Sequence, residues 1–165
     1  MSTEQHRKSA PSSVRCFVLT ISDTRTAQND TSGDAIVGLL ANAGHVITAR
    51  AVVKDDPEAV RHAITANAPA ADVVITTGGT GITSRDSTYE AIASLLDKHL
   101  DGFGELFRVI SYQEIGSAAM LSRASAGTVG RTAVFSLPGS THAVTLGMTK
   151  LILPEIGHVV RELRR

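Results

Sequence analysis

The stretch TTGGTGITSRDSTYEA, residues 76–91, brings three glycines, an arginine and an aspartate together directly after a β-branched apolar run. Glycine lets a backbone adopt positive φ or approach a ligand closely, and the successive N–H groups of such a turn bind anions. The segment therefore predicts a loop that holds phosphate or a similar anion, with Gly78, Gly79 and Gly81 as its backbone cradle.

Asp86, in the same stretch, has two interpretations. Ser87 and Glu90 have the S-x-x-E spacing of a capping box, so Asp86 would only add favourable charge near the start of a helix. In the other interpretation Asp86 takes part in chemistry, and Arg85 binds phosphate instead of being a solvated or ion-paired arginine. Local spacing favours the capping role and leaves the catalytic one open.

Two other segments, residues 22–34 and 136–141, have the same strand-to-helix character. In open α/β sheets, ligands bind at the carboxyl ends of the strands, where helix N-termini present free N–H groups. Three such loops together predict a site for phosphates or a phosphate-bearing molecule, although each loop could also be an ordinary turn. The candidate residues in these two loops are Thr31, Ser32, Gly33, Gly139 and Ser140.

The elements that must position these loops are read from periodicity. From Val14 onward, short β-branched runs alternate with segments of helical spacing, which predicts an α/β fold with a parallel sheet covered on both faces. Strands are expected over 14–22, 45–53 and 72–77, and a further one within 128–140. Helices are expected over 31–44, 56–68 and 87–100, as two short helices divided near Gly116 within 101–124, and over 141–163 with a kink or break at Pro154.

Local signals also predict the helix ends. Thr31 and Asp34 have capping-box-like spacing at the start of the first of these helices, and Gly44 is placed to end it. Asp56 is the expected N-cap of the next helix, with Pro57 at its first helical position.

Composition narrows the functional classes. The chain has 165 residues, 42% hydrophobic and 19% charged, which suits one globular domain, and 16 basic residues balance 16 acidic ones. Because no basic excess or stripe is present, we expect no nucleic-acid partner. The lone Cys16 lies in an apolar run and is expected to be a buried, reduced thiol and not a catalytic thiolate.

The ends and the hydropathy of the chain give a further set of expectations. Residues 1–13 are polar, lack the apolar core of a secretory signal, and are predicted to be a flexible tail before one domain spanning 14–165. No apolar run approaches the roughly 20 residues that cross a bilayer, so we expect no membrane partner and a cytoplasmic location.

Common catalytic signatures are missing. The sequence has no G-x-x-x-x-G-K-[ST], G-x-G-x-x-G, G-x-S-x-G or H-E-x-x-H, which argues against P-loop nucleotide hydrolases, dinucleotide folds, serine hydrolases and zinc enzymes. The six histidines show no metal-ligand spacing, and only His142, just after the PGS turn, is expected near a site.

Six motifs in order, LTISDTRT, NDTSGD, TTGGTGITSRDSTYEA, GFGELFR, SRASAG and SLPGS, resemble the molybdenum-cofactor biosynthesis family that includes MoaB, MogA and the G domain of gephyrin. The resemblance covers Val14 to about Leu163 and is greatest to the MoaB branch. It implies a three-layer α/β/α sandwich with a mostly parallel sheet, assembled as a homotrimer or homohexamer. It also implies molybdopterin binding and transfer of AMP from Mg-ATP to the molybdopterin phosphate, with release of pyrophosphate.

The resemblance assigns roles residue by residue. Asp55 and Asp86 match the family's aspartates and would coordinate Mg²⁺ and orient phosphates, which moves the interpretation of Asp86 from capping to catalysis. The pocket implied for ATP and molybdopterin comprises Ser22, Asp23, Thr31, Ser32, Gly33, Gly78, Gly79, Thr80, Gly81, Arg85, Pro138, Gly139 and Ser140.

Two alternatives remain open. One is a non-catalytic protein that binds or carries molybdopterin in the same pathway. The other is an unrelated nucleotide-binding oxidoreductase of doubly wound fold, against which the absence of G-x-G-x-x-G already counts.

Overall fold

The computed structural model describes residues 2–165, which contain one six-stranded sheet. Its strands are β1 (Arg15–Ile21), β2 (Val46–Val53), β3 (Val73–Thr77), β4 (Lys98–His99), β5 (Ser125–Val129) and β6 (Thr132–Leu137), in the spatial order β2-β1-β3-β6-β5-β4. β2, β1, β3 and β6 are parallel, β5 is antiparallel to β6, and β4 is antiparallel to β5. The predicted, mostly parallel sheet is therefore confirmed.

The α-helices lie on both faces of this sheet. They are α1 (Thr3–Lys8), α2 (Thr31–Asn42), α3 (Pro57–Asn67), α4 (Thr88–Leu95), α5 (Asp101–Ile115), α6 (Thr141–Gly147) and α7 (Leu153–Arg164). Alternate residues of β1 show the layering. Cys16 and Val18 pack into a cluster with α2, α5, α6 and α7, whereas Phe17 and Leu19 pack with α3 and α4. The fold is thus a three-layer α/β/α sandwich, as predicted.

Cys16 lies at the centre of this packing. It is free, and its side chain is fully buried in β1. Burial raises the pKa of the Cys16 thiol to about 12, with a smaller contribution from the charge of Asp72. The prediction of a buried, reduced thiol is confirmed, because a thiol with this pKa stays protonated at neutral pH.

The sheet contains two strands that the sequence did not predict. A single strand was expected within residues 128–140, but a two-residue turn at Gly130 and Arg131 joins β5 to β6 as an antiparallel hairpin. The segment SAGTV begins with Ser, Ala and Gly before the β-branched Thr128 and Val129, so its first half depends on pairing with β6. The helix expected over 87–100 is also shorter, since Leu96 is extended and Lys98–His99 form β4.

The C-terminal helix is irregular next to its proline. A continuous helix runs from Thr141 to Arg164, and its irregular turn is a π-helix over Met148–Ile152, just before Pro154. A proline ring collides with the carbonyl four residues earlier, here that of Lys150, so a widened turn relieves the contact. The predicted disturbance at Pro154 is present, but as a π-helical turn and not as a break.

The same continuous helix departs from another expectation. With 24 residues it is long and apolar enough to cross a membrane by length and composition. No segment of this kind was expected from the sequence. One side of it buries a row of apolar residues in the sheet core. The row consists of Val144, Met148, Ile152, Ile156 and Val160. A core helix passes the same test, so the observation is weak evidence for a membrane span.

The N-terminal segment contains helix where a flexible tail was predicted. α1 is closed by a capping box between Ser2 and Gln5, and it packs on α7 through an ion pair of Arg7 with Glu155. α1 buries none of its own residues. α1 is therefore held against α7 by polar contacts and not by apolar packing, which agrees with the polar composition of this segment.

Candidate functional site

The glycine-rich loop after β3 passes directly over the end of β1. Gly78 and Gly79 have φ values of 93° and 70°, in the left-handed region that glycine adopts without strain. A Cβ on Gly78 would lie 2.2 Å from the carbonyl oxygen of Ile21, so no side chain fits there. The predicted need for glycine is confirmed at both positions, and the loop exposes backbone at the carboxyl edge of the sheet.

Gly81 serves a different purpose from the other two glycines. It has no positive φ, but a Cβ there would lie 2.4 Å from Oδ2 of Asp86. The same Asp86 oxygen accepts hydrogen bonds from the N–H of Thr83 at 2.7 Å and from its Oγ1 at 2.8 Å. These bonds lower the pKa of Asp86, with smaller contributions from Arg123 and Arg85. Asp86 is therefore favoured in its ionised form, which is the form that can bind a metal ion.

The predicted capping box at the start of α4 is wrong. Ser87 is the N-cap residue, but its side chain makes no capping hydrogen bond. Glu90 binds Arg123 instead of reaching back to Ser87. The Glu90 carboxylate, which the local pattern assigned to the cap, therefore forms a tertiary ion pair instead.

Arg123, which the sequence did not single out, holds the glycine-rich loop. Its Nε donates to the carbonyl oxygen of Thr80 at 3.2 Å, and its Nη2 donates to that of Gly81. Its guanidinium lies 4.4 Å from the centre of the Tyr89 ring. Arg123 lies just before β5, so only the fold brings it to this loop. The motif SRASAG contains it, but nothing in that spacing indicates its partners.

Asp55 links the loop after β2 to the start of α4. Its Oδ1 accepts a hydrogen bond from Oγ1 of Thr88, and its N–H donates to Oδ1 of Asp23 at 3.1 Å. Thr88 follows Asp86 by two residues. The two aspartates that were assigned to Mg²⁺ therefore flank one helix start, each from a different strand exit, and their predicted role in binding metal remains a prediction.

Ser22 organises the loop after β1. Its N–H donates to the carbonyl oxygen of Val53 at 2.9 Å, which ties the ends of β1 and β2 together. Its Oγ accepts from the N–H groups of Thr24 and Arg25 at 3.2 Å and 3.1 Å. Ser22 thus shapes a turn at the sheet edge where a ligand contact was predicted.

The start of α2 is capped by Asp30 and not by a Thr31–Asp34 box, so that prediction is wrong. Asp30 is fully buried, and its carboxylate accepts from Oγ1 of Thr20 at 2.6 Å, from Arg50 at 2.9 Å and from the N–H of Gly33 at 3.0 Å. Burial raises the pKa of Asp30, but these hydrogen bonds outweigh it and the net pKa is lowered. An aspartate directly before an apolar-periodic run was the sequence signal for this cap.

Gly33 and Ser32 are part of this arrangement. A Cβ on Gly33 would lie 2.0 Å from Oδ2 of Asp30, so glycine makes room for the buried carboxylate. Ser32 is buried. Asp34, which was expected in the cap, pairs with Arg50 at 2.7 Å instead.

The PGS turn after β6 joins the other two loops. The carbonyl oxygen of Pro138 accepts from Oγ1 of Thr77 at 3.0 Å, and a Cβ on Gly139 would lie 3.5 Å from Cα of Gly78. Ser140 caps α6 by accepting from the N–H of Ala143 at 3.1 Å. The hydroxyl of Thr141 then donates to that of Thr31 at 3.2 Å, which closes the ring of loops.

Two predicted residues lie outside these contacts. Arg85 is exposed and forms no hydrogen bond or ion pair with any residue from 2 to 165, which leaves its guanidinium open to a ligand. His142 is 66% exposed in its side chain and lies 3.6 Å from Glu114 of α5. Its side chain therefore lies beside α5, while its backbone belongs to the start of α6 directly after the PGS turn, and its expected place near the site stays a prediction.

The arrangement can bind anions and cations together. Gly79 and the starts of α2 and α6 offer backbone N–H groups at the crevice between β1, β3 and β6, where the strand order changes direction. The N–H of Gly78 donates to the carbonyl oxygen of Leu137 at 3.0 Å and holds the loop against β6. Asp55 and Asp86 add negative charge on the side of α4. A polyanionic ligand with its counter-cation suits such a pairing of donors and carboxylates.

The sequence of this chain is similar to known proteins over most of its length. Residues 17–158 match the family described as "Probable molybdopterin binding domain". Molybdenum cofactor biosynthesis protein B of Bacillus cereus is 56% identical, over 100% of this chain and 99% of that protein.

Solved structures agree in fold and extent. A crystal structure of molybdenum cofactor biosynthesis protein B superposes with a TM-score of 0.91 at 58% identity, covering 94% of this chain and 99% of the other. The tungsten cofactor synthesizing protein MoaB from Pyrococcus furiosus gives a TM-score of 0.81 at 42% identity, over 94% of this chain and 100% of the other. The chain therefore belongs to the molybdopterin-binding domain family of molybdenum-cofactor biosynthesis that contains MoaB and MogA.

Proposed function

We propose that this protein binds molybdopterin and transfers AMP from Mg-ATP to its terminal phosphate, releasing pyrophosphate. The observation that carries the proposal is the hydrogen bond of Asp55 to Thr88, which brings a carboxylate from the β2 exit to the helix start that follows Asp86. Two carboxylates beside a glycine cradle suit the joining of two phosphate groups, where the main difficulty is the repulsion between anions.

The carboxylates fit a magnesium ion. The hydrogen bonds within residues 2–165 engage Oδ1 of Asp55 and Oδ2 of Asp86, and leave the other oxygen of each carboxylate without a donor. Mg²⁺ prefers one or two carboxylates together with phosphate oxygens and water. Asp55 and Asp86 would hold the ion, whose charge would neutralise and orient the phosphates of ATP.

The remaining chemistry depends on positioning. An oxygen of the molybdopterin phosphate attacks the α-phosphorus of ATP, the bond to the β-phosphate oxygen breaks, and pyrophosphate leaves. The attacking oxygen is already anionic, so the residues need not supply a strong base. Gly79 would hold a phosphate oxygen through its N–H group, since the N–H of Gly78 already donates to Leu137, and exposed Arg85 would approach the departing pyrophosphate.

We also propose that the protein acts as a homo-oligomer in the cytoplasm. Four large apolar residues of α5 and two of the 3₁₀ helix that follows it (Gly116–Leu121) are more than half exposed, which is unusual for a free surface. They are Leu106, Val109, Tyr112, Ile115, Met120 and Leu121. A second copy of the chain would cover them, and replacing Val109 and Met120 by glutamate should then yield monomers in light-scattering chromatography.

The decisive experiment mixes purified protein with molybdopterin and Mg-ATP and measures adenylylated molybdopterin and pyrophosphate. Product formation that depends on both ATP and Mg²⁺ is the expected result. Absence of product at high protein concentration, with molybdopterin still bound, would overturn the adenylyl transfer and leave a molybdopterin carrier. Absence of molybdopterin binding would overturn both.

A further inference from the structure

A cluster of metal-ligating groups lies far from the three loops, between the two ends of the chain. His6 of α1 and His158 and Glu162 of α7 each place a possible ligand atom within 4.8 Å of the others. Among residues 2–165 it is the one group of three or more histidine, cysteine or carboxylate side chains with this spacing. The separation of 152 positions between His6 and His158 explains why sequence spacing gave no signal for it.

The distances fit a small transition-metal ion. Nδ1 of His6 lies 3.1 Å from Oε1 of Glu162, and Nε2 of His158 lies 4.0 Å from the same oxygen. Tetrahedral ligands at ordinary zinc distances are about 3.3 Å apart. The observed separations lie on either side of that value, so small side-chain rotations would complete three positions of a tetrahedron.

Glu155 supplies the partner that a metal-binding histidine needs. Nδ1 of His158 lies 2.9 Å from Oε2 of Glu155, so the proton of a neutral ring belongs on Nδ1. Nε2 then carries its lone pair towards the Glu162 carboxylate. A cation could bind this nitrogen together with the Glu162 carboxylate, and a carboxylate on the second ring nitrogen is the usual support of a histidine ligand.

The two histidine side chains are partly accessible to solvent, and their rings are held in place by packing against each other. The His6 and His158 side chains are 19% and 21% exposed, and their rings pack edge to face with centroids 5.6 Å apart. Arg161 and Arg165 also bind Glu162, so an arriving ion has to displace or share these contacts. We therefore expect affinity in the micromolar range, below that of closed structural zinc sites.

We propose that His6, His158 and Glu162 form a site for a divalent transition-metal ion, Zn²⁺ by its ligand preference, which fastens α1 to α7. Imidazole nitrogens with one carboxylate select such ions over Mg²⁺ and Ca²⁺, which prefer oxygen alone. The site has a structural purpose. A six-residue helix without buried residues has little stability of its own, and a shared ion would fix it against the domain.

The test titrates metal-free, full-length protein with ZnCl₂ near neutral pH by calorimetry, with excess Mg²⁺ present to occupy oxygen-only sites. One Zn²⁺ per chain is expected. His6→Asn and His158→Asn should each weaken binding by at least about tenfold, and Glu155→Gln by about tenfold through loss of the second-nitrogen partner. His62→Asn, on the exposed surface of α3, is the matched control and should bind as the wild type does.

Limited digestion with trypsin measures whether Zn²⁺ holds α1 against α7. Zn²⁺ should slow cleavage after Arg7 and Lys8 in the wild type and in the His62 variant, but not in His6→Asn, whose α1 position contributes nothing to the core. Absence of Zn²⁺ binding, equal binding by wild type and His6→Asn, or protection that survives this substitution would each overturn the proposal.

Discussion

Asp72, at the amino edge of the sheet, has surroundings opposite to those of Asp55 and Asp86, at its carboxyl edge. At the amino edge, Asp72 precedes β3, and its two oxygens accept from the N–H and guanidinium of Arg15 and from Arg164, at 2.9 to 3.2 Å. At the carboxyl edge, Asp55 and Asp86 each keep one oxygen that no residue between 2 and 165 engages. All three look alike in the sequence, as acidic residues beside strands or helix starts.

The difference separates carboxylates that stabilise the fold from those available to a ligand. Asp72 is only 8% exposed, and burial alone would raise its pKa. The hydrogen bonds from Arg15 and Arg164 outweigh that burial and hold the pKa of Asp72 well below its usual range. The partners of Asp86 are the hydroxyl and N–H of Thr83, which leave its charge uncompensated by any contacting cation.

The largest expected effect is on turnover at the carboxyl edge. Asp86→Asn should lower adenylyl transfer by about 10²-fold or more, because the substituted amide cannot bind Mg²⁺ or offset phosphate charge. Molybdopterin binding and the urea unfolding midpoint should be unchanged, since asparagine can still accept from Thr83. Thr83→Val is the control for loop shape and should cost much less activity. Full activity of Asp86→Asn would remove this residue from the metal site.

Asp72→Asn should have the converse effect at the amino edge. Loss of charge on a buried carboxyl with two arginine partners should lower the free energy of unfolding by about 2 kcal/mol, or about thirtyfold in the unfolding equilibrium. A larger value is not expected, because both arginines are half exposed and solvent screens them. Turnover per folded molecule should stay constant. Equal stability with reduced activity would contradict the comparison.

Arg123→Lys should affect the glycine-rich loop through positioning. Lysine keeps the charge but loses the fork that reaches the carbonyl oxygens of Thr80 and Gly81. We expect KM for ATP or molybdopterin to rise by up to about tenfold with kcat little changed. Arg131→Lys, on the exposed hairpin turn, is the matched control. A fall in kcat with constant KM would instead place Arg123 among the reacting groups.

Acid titration should give the smallest effect. The folded-state pKa of Asp72 lies below its unfolded value of about 3.9, so its contribution is fully present above that pH and is lost as pH falls through the folded pKa. Unfolding free energy measured from about pH 6 to pH 3 should therefore fall more steeply in the wild type than in Asp72→Asn. Parallel curves would show that Asp72 is no better stabilised than an exposed carboxylate.

Local patterns predicted well where local forces decide. Pro57 and Asp56 begin α3 with Asp56 as N-cap, Gly44 follows α2 with a φ of 85°, and the apolar run before Gly78 is the fully buried β3. Each of these outcomes follows from backbone sterics, a side chain three residues away, or burial on both faces of a parallel strand.

Predictions failed where a distant partner competes with a local one. Glu90 forms an ion pair with Arg123 and not the predicted cap of α4. Asp34 pairs with Arg50, and buried Asp30 caps α2 in its place. The first half of β5, Ser125 to Gly127, lacks residues of strong strand preference and is stabilised by pairing with β6. An ion pair or strand pairing across the fold contributes as much as a local hydrogen bond, so spacing alone cannot choose between them.

The sequence by itself determined the layered α/β architecture, the glycine turn after β3 and, through six ordered motifs, the family. These depend on periodicity and on backbone conformations that few residues can adopt. Only the tertiary structure decided which aspartates are closed in by arginines and which remain open, that Arg123 holds the glycine loop, and that His6 meets His158. Charges separated widely along the chain interact only after the sheet has set their distances, and those distances determine their energy.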